Sequence, residues 1–180
     1  MKKNKQNNIA LFGTVKILAF AALMSSLSGI LKFLAPTGDT WRISIENLPI
    51  IFSGIVLGPF SATAVGIAAD LLGCLFRGFA INPMITLASA VVGFVSGVVF
   101  KIFGKKKILG IVFATFFAHI LGNVIIKSFA LSALFGVPIS VVLLKRAGVY
   151  LLTSIAEILI IVILYRNNAI RNSLKRVIDK

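Results

Sequence analysis

With one histidine, one cysteine and five acidic residues, this 180-residue chain is short of the side chains on which most enzyme chemistry rests. A lone cysteine, Cys74, allows neither an internal disulfide nor a thiolate metal cluster; within an apolar run it reads as a small buried hydrophobe. A lone histidine, His119, excludes H-E-x-x-H and other paired-histidine metal sites. The sequence has no G-x-x-x-x-G-K-[ST] loop to cradle a nucleotide. It also lacks the G-x-S-G motif that would support an intramembrane Ser–His dyad. His119 lies on a Phe-rich stretch (Phe113, Phe116, Phe117) and reads as a packed or pocket-lining side chain. The chain is therefore expected not to be an enzyme, and no catalytic residue, metal or cofactor is expected.

Apolar sequence is what the chain has in abundance. Hydrophobic residues make up 58% of it and charged residues 13%, and the mean hydropathy is +1.03. A soluble domain of this length needs more polar surface than that. Phe79–Phe100 and Ile108–Ile126 carry no charge at all, and runs of roughly 18 apolar residues mark membrane spans. The net charge of +14 would suggest nucleic acid in a soluble protein. Here the basic residues sit at the ends of apolar runs, as topology markers beside lipid headgroups, and no basic face with interleaved aromatics exists for nucleic acid. The start, MKKNKQNN followed by Ile9–Leu31, is longer in its apolar part than a signal peptide and reads as an uncleaved first span.

Charge parity sets the helix count. Lys2, Lys3 and Lys5, then Lys105, Lys106 and Lys107, then Arg166, Arg171, Lys175, Arg176 and Lys180 form three basic clusters, all of which the positive-inside rule puts in the cytoplasm. The run Leu48–Phe76 would be about 43 Å long as one helix, against a core of ~30 Å. Gly58-Pro59 in its interior predicts a break there. With that break the count is even and every cluster is inside. The expected fold is all-α: a polytopic membrane protein, a six-transmembrane-helix bundle forming one membrane-embedded domain over 1–180. Its helices are expected near 9–34, 45–57, 60–76, 83–104, 108–133 and 139–165, with both termini cytoplasmic in a bacterial plasma membrane.

Outward-facing segments are then Ala35–Asn47, Arg77–Asn82 and Leu134–Pro138. The pairs Gly54/Gly58 and Gly93/Gly97 have the spacing of close helix packing, as do the small residues Ala22 and Ser26. Ionisable residues at membrane depth are costly and suggest function. Counting residues puts Lys16 about 10 Å and Glu157 about 12 Å from the cytoplasmic side, so an ion pair between the first and last helices is expected. Asp70, about 15 Å deep, is either a helix-packing acceptor or part of a pocket floor. Lys32, Arg42, Arg77, Lys127 and Arg146 fall toward the outside. They either snorkel to headgroups or serve an anionic solute.

RISIENLPIIFSGIVLGP (Arg42–Pro59), GIAADLLGCLFRGFAINPMITLASAVVGFVSG (Gly66–Gly97), HILGNVIIKSFALSALFGVP (His119–Pro138) and AALMS (Ala21–Ser25) resemble the substrate-binding (S) subunits of energy-coupling factor (ECF) vitamin transporters. The resemblance covers nearly the whole chain and is closest to the folate branch. Many members of that branch carry Asn-Thr and a Trp in helix five, where this chain has Lys127, Ser128 and Ala130. The resemblance implies a six-helix subunit without ATPase activity that binds a vitamin from outside. It also implies docking on a transmembrane coupling protein with two ATPase subunits, through a small-residue face matched by Ala22 and Ser26.

Folate joins a flat pterin to an acidic tail, and would want a carboxylate or amide, aromatics and cations. Trp41, Arg42, Glu46, Arg77, Phe79, Asn82 and Lys127 offer these near the outward face. The alternatives are another vitamin or a nucleobase-like precursor, a ligand-free structural subunit with apolar interhelical space, and an intramembrane enzyme with a close Ser–His contact.

Overall fold

The computed structural model describes residues 2–36, 44–104, 106–170 and 172, with side chains from residue 15 onward. Trp41 and Arg42 lie outside the described residues. Helix α1 is Lys2–Leu34, α2 Leu48–Leu57, α3 Pro59–Arg77 and α4 Pro83–Phe103. Helix α5 runs Lys107–Phe135, with π-helical bonding over His119–Ile126, and α6 is Ile139–Arg166. The six-helix bundle expected from charge parity is the observed fold. Among the described residues, five helices are long and apolar enough to cross a membrane. The exception is α2, which at ten residues rises only about 15 Å.

Glycine and proline set the breaks. Gly58 has a φ of +88°, a conformation that side-chain-bearing residues avoid. Its N–H donates to Gly54 O and so closes α2, while Pro59 opens α3, where a missing N–H costs nothing. Gly78 and Gly136 end α3 and α5 with positive φ. Pro83 opens α4 behind Asn82, whose side chain accepts the Met84 N–H at 3.0 Å.

Helix α4 is the spine. A Cβ on Gly97 would lie 2.5 Å from Pro59 N, and one on Gly54 would lie 2.9 Å from Gly97 N. A Cβ on Gly93 would overlap the Ala62 carbonyl, and one on Gly66 the Ser89 carbonyl. Gly54, Gly93 and Gly97 therefore serve backbone-to-backbone packing, as their spacing suggested, whereas a Cβ on Gly58 would meet nothing and its role is the turn. Because Pro59 lies against Gly97, the turn between α2 and α3 sits inside the bundle, short of the end of α4. The apolar core takes one fully buried branched residue from each of five helices: Ile51, Val65, Val92, Ile111 and Ile161. Phe20 and Met24 of α1 pack against it. Outward, apolar side chains are left for lipid, Phe60 at 82% exposure and Leu144 at 78% among them.

Candidate binding site

The polar interior gathers where α1 and α3 end and α2 and α4 begin. Lys32, on the last turn of α1, turns inward along α3, because Gly73 has no Cβ to obstruct its stem. Its ammonium donates to Asp70 Oδ1 at 2.5 Å and to the Asp70 carbonyl at 3.3 Å. The Thr86 hydroxyl of α4 donates to Asp70 Oδ2 at 2.7 Å. A second buried pair joins Glu46, just before α2, to Lys127 of α5 at 3.6 Å. Glu46 is held by its backbone: the Ser28 hydroxyl donates to its carbonyl at 2.6 Å, and its N–H donates to Ser44 Oγ at 2.9 Å.

Asn47 lies between the two pairs, 1% exposed, and neither its amide nitrogen nor its oxygen has a protein partner. A cavity of about 10 Å³ opens there among Ser28, Lys32, Glu46, Asn47, Asp70 and Ser89. Buried amides are normally satisfied, so this one is left able to hydrogen-bond a water or another polar molecule. An open groove of about 420 Å³ lies on the adjoining residues, lined by Leu31, Leu34, Ala35, Ser44, Ile45 and Thr153. Leu31 and Ile45 precede Lys32 and Glu46 in the chain, so groove and cluster share the same backbone.

A second polar layer lies between α5 and α6. His119 Nε2 meets Glu157 Oε2 at 2.6 Å, and Asn123 Nδ2 meets His119 Nδ1 at 3.1 Å. Arg146 Nε donates to the Asn123 carbonyl at 2.9 Å, and its guanidinium sits 5.0 Å from the centre of the Tyr150 ring. Both ring nitrogens of His119 are thus engaged, and not by a serine.

Of the expected site residues, Glu46 and Lys127 are brought together. Arg77 instead bridges helix ends, donating to the carbonyls of Phe33, at 2.8 Å, and Ala35. Its guanidinium lies 5.7 Å from the centre of the half-exposed Phe79 ring. Asn82 is engaged as the cap of α4. Ala22 and Ser26 share an exposed face of α1.

One expectation is corrected, and one of two open alternatives falls away for three residues. Glu157 pairs with His119 and not with Lys16, because the backbones of α1 and α6 do not come together among the described residues. Lys32, Lys127 and Arg146 do not snorkel: all three are buried. Lys32 and Asp70, which the sequence left open as an anion contact and a pocket floor, belong to the cluster, and so does Asn47, which was not singled out from sequence. Their signal was present, as ionisable and amide groups inside apolar helices.

The match to a family model for the ECF transporter, substrate-specific component, spans residues 10–171. A comparison with curated proteins finds no match. Among solved structures, one reported as "Structure and mechanism of the S component of a bacterial ECF transporter" superposes with a TM-score of 0.67 at 23% identity. That alignment covers 91% of this chain and 99% of the other, so the two share a fold. With its polar-cored six-helix bundle and a family match over nearly its whole length, the chain belongs to the ECF transporter substrate-specific components: multi-pass membrane proteins that capture a small molecule for an ATPase-bearing module and are not enzymes.

Proposed function

We propose that this chain captures a vitamin, folate foremost, from the outer face of the membrane, at the groove and the charged cluster adjoining it. The orphaned Asn47 amide between the Glu46–Lys127 and Lys32–Asp70 pairs carries the reading. Two carboxylates, an amide and two ammonium groups match the needs of a pterin edge and an acidic tail. The groove's volume lies within the usual range for small-molecule sites, about 300–1,000 Å³. In this reading Glu46 and Asn47 face the pterin edge, and Lys127 meets a carboxylate of the tail. The same reading takes Trp41, Arg42, Arg77, Phe79 and Asn82 as further ligand contacts. Cargo delivery requires docking on the coupling protein, for which the small exposed positions Ala22 and Ser26 are the proposed contact.

Titrating folate into the purified protein, with Trp41 as a fluorescent reporter, tests the reading. The wild type should bind. Lys127→Ala and Glu46→Ala should each weaken binding by roughly tenfold to a hundredfold, the loss of one charge-assisted hydrogen bond of ~1.5–3 kcal/mol. If the wild type does not bind folate and native mass spectrometry finds another vitamin or a nucleobase-like compound bound, folate is the wrong ligand. If affinity is unchanged in both variants, the pair is structural only.

A further inference from the structure

Helix α5 is not uniform. Over His119–Ile126 it bonds in the wider π pattern, and the Lys127 N–H passes over the Asn123 carbonyl to reach Gly122 O. Arg146 Nε, from α6, donates to that bypassed carbonyl. The Asn123 side-chain amide pairs with His119 Nδ1, and His119 Nε2 pairs with Glu157. Gly122 lets this stretch lie flat on α4, since a Cβ there would come 2.8 Å from the Ala88 carbonyl. π turns are rare and amount to one residue inserted into an α-helix. Each residue of an α-helix turns the chain by about 100°, so the inserted residue decides which side chain next faces the bundle interior. The residue that emerges is Lys127, and it meets Glu46.

We propose that His119, Asn123, Arg146 and Glu157 are positioning residues that hold the π turn and thereby aim Lys127 at Glu46. Without them the stretch relaxes to α-helix. The half of α5 before the turn is fixed by Ile111, Ala114, Thr115 and Ala118, all fully buried. The half after it keeps Ser128 and Ala130 buried but is half-buried or exposed from Leu131 to the Gly136 turn, so it is this half that rotates. Ile126 then takes the place of Lys127. The consequence for ligand affinity rests on the site proposed above, but the register itself does not.

The test is cross-linking in the full-length protein carrying Cys74→Ala and Glu46→Cys, with a second cysteine at Lys127→Cys or Ile126→Cys and a short bifunctional thiol reagent. With the network intact, position 127 should cross-link in preference to 126. In Arg146→Met or His119→Leu that preference should invert. Deleting Ile125, which is exposed toward lipid, removes the extra residue and should return the preference to 127 in both variants. A preference for 127 that survives both substitutions overturns the proposal, as does a deletion that fails to restore it. If neither substituted chain folds, deletion of Ile125 in the otherwise native chain decides. It should keep 127 as the partner and make Arg146→Met tolerable. A partner other than 127 in that chain overturns the assignment. The cross-link is read without ligand, so a failure of folate binding leaves its outcome distinct.

Discussion

Buried ion pairs decide what single side chains do in this protein. Lys32 and Asp70 hold each other with side chains 7% and 2% exposed, where removing one partner strands the other's charge. Lys32→Met should therefore destabilise the protein by about 3–5 kcal/mol, and Asp70→Leu similarly. Lys32→Met combined with Asp70→Leu should recover much of that loss, because nothing charged is left behind. Thermal unfolding of the three variants in detergent reads this directly, and a double variant worse than either single would show that the pair is not coupled. That such residues lie inside the bundle was legible in the sequence, since counting along a helix gives depth. Which partner each would choose was not. Lys16 and Glu157 match in depth, yet depth says nothing of which helices are neighbours, and α6 packs on α5, which gave Glu157 to His119.

At the level of the helix, residues that constrain backbone were readable and residues that merely tolerate it were not. Gly58-Pro59 predicted the break because a φ of +88° and a missing N–H leave few alternatives. The glycine pairs predicted close approach for the same reason. The π turn in HILGNVII gave no pattern, because its cause is a set of partners on α6 far away in sequence; His119 and Asn123 inside an apolar stretch were its only trace. Helix α1 supplies a prediction of its own. Ala22 and Ser26 stand on its exposed face, while Ser25 and Ser28 turn inward. Ala22→Trp or Ser26→Trp should therefore abolish vitamin uptake by cells while leaving binding to the purified subunit within a few-fold, since close helix contact cannot absorb an indole. Equal loss of both would place this face in the bundle's own packing.

For the molecule as a whole, charge parity and the broken second helix made the six-helix bundle legible before any coordinate. The groove was less so, because its walls come from α1, α6 and the segment between α1 and α2. The orientation proposed for it puts Lys106 in the cytoplasm. In a Cys74→Ala background, Lys106→Cys should resist a membrane-impermeant thiol reagent in intact cells and react once they are opened; ready labelling from outside would invert the topology. The separation of α1 from α6 has a mechanical consequence. Among the described residues the backbones of α1 to α5 meet in sequence, and α6 meets α5 and α2, but α6 and α1 do not meet. The groove lies in that seam, walled by Leu31 and Leu34 on one side and by Leu152, Thr153 and Ala156 on the other. A molecule seated there would bridge two helices that share no backbone contact of their own, and so would act as their clasp.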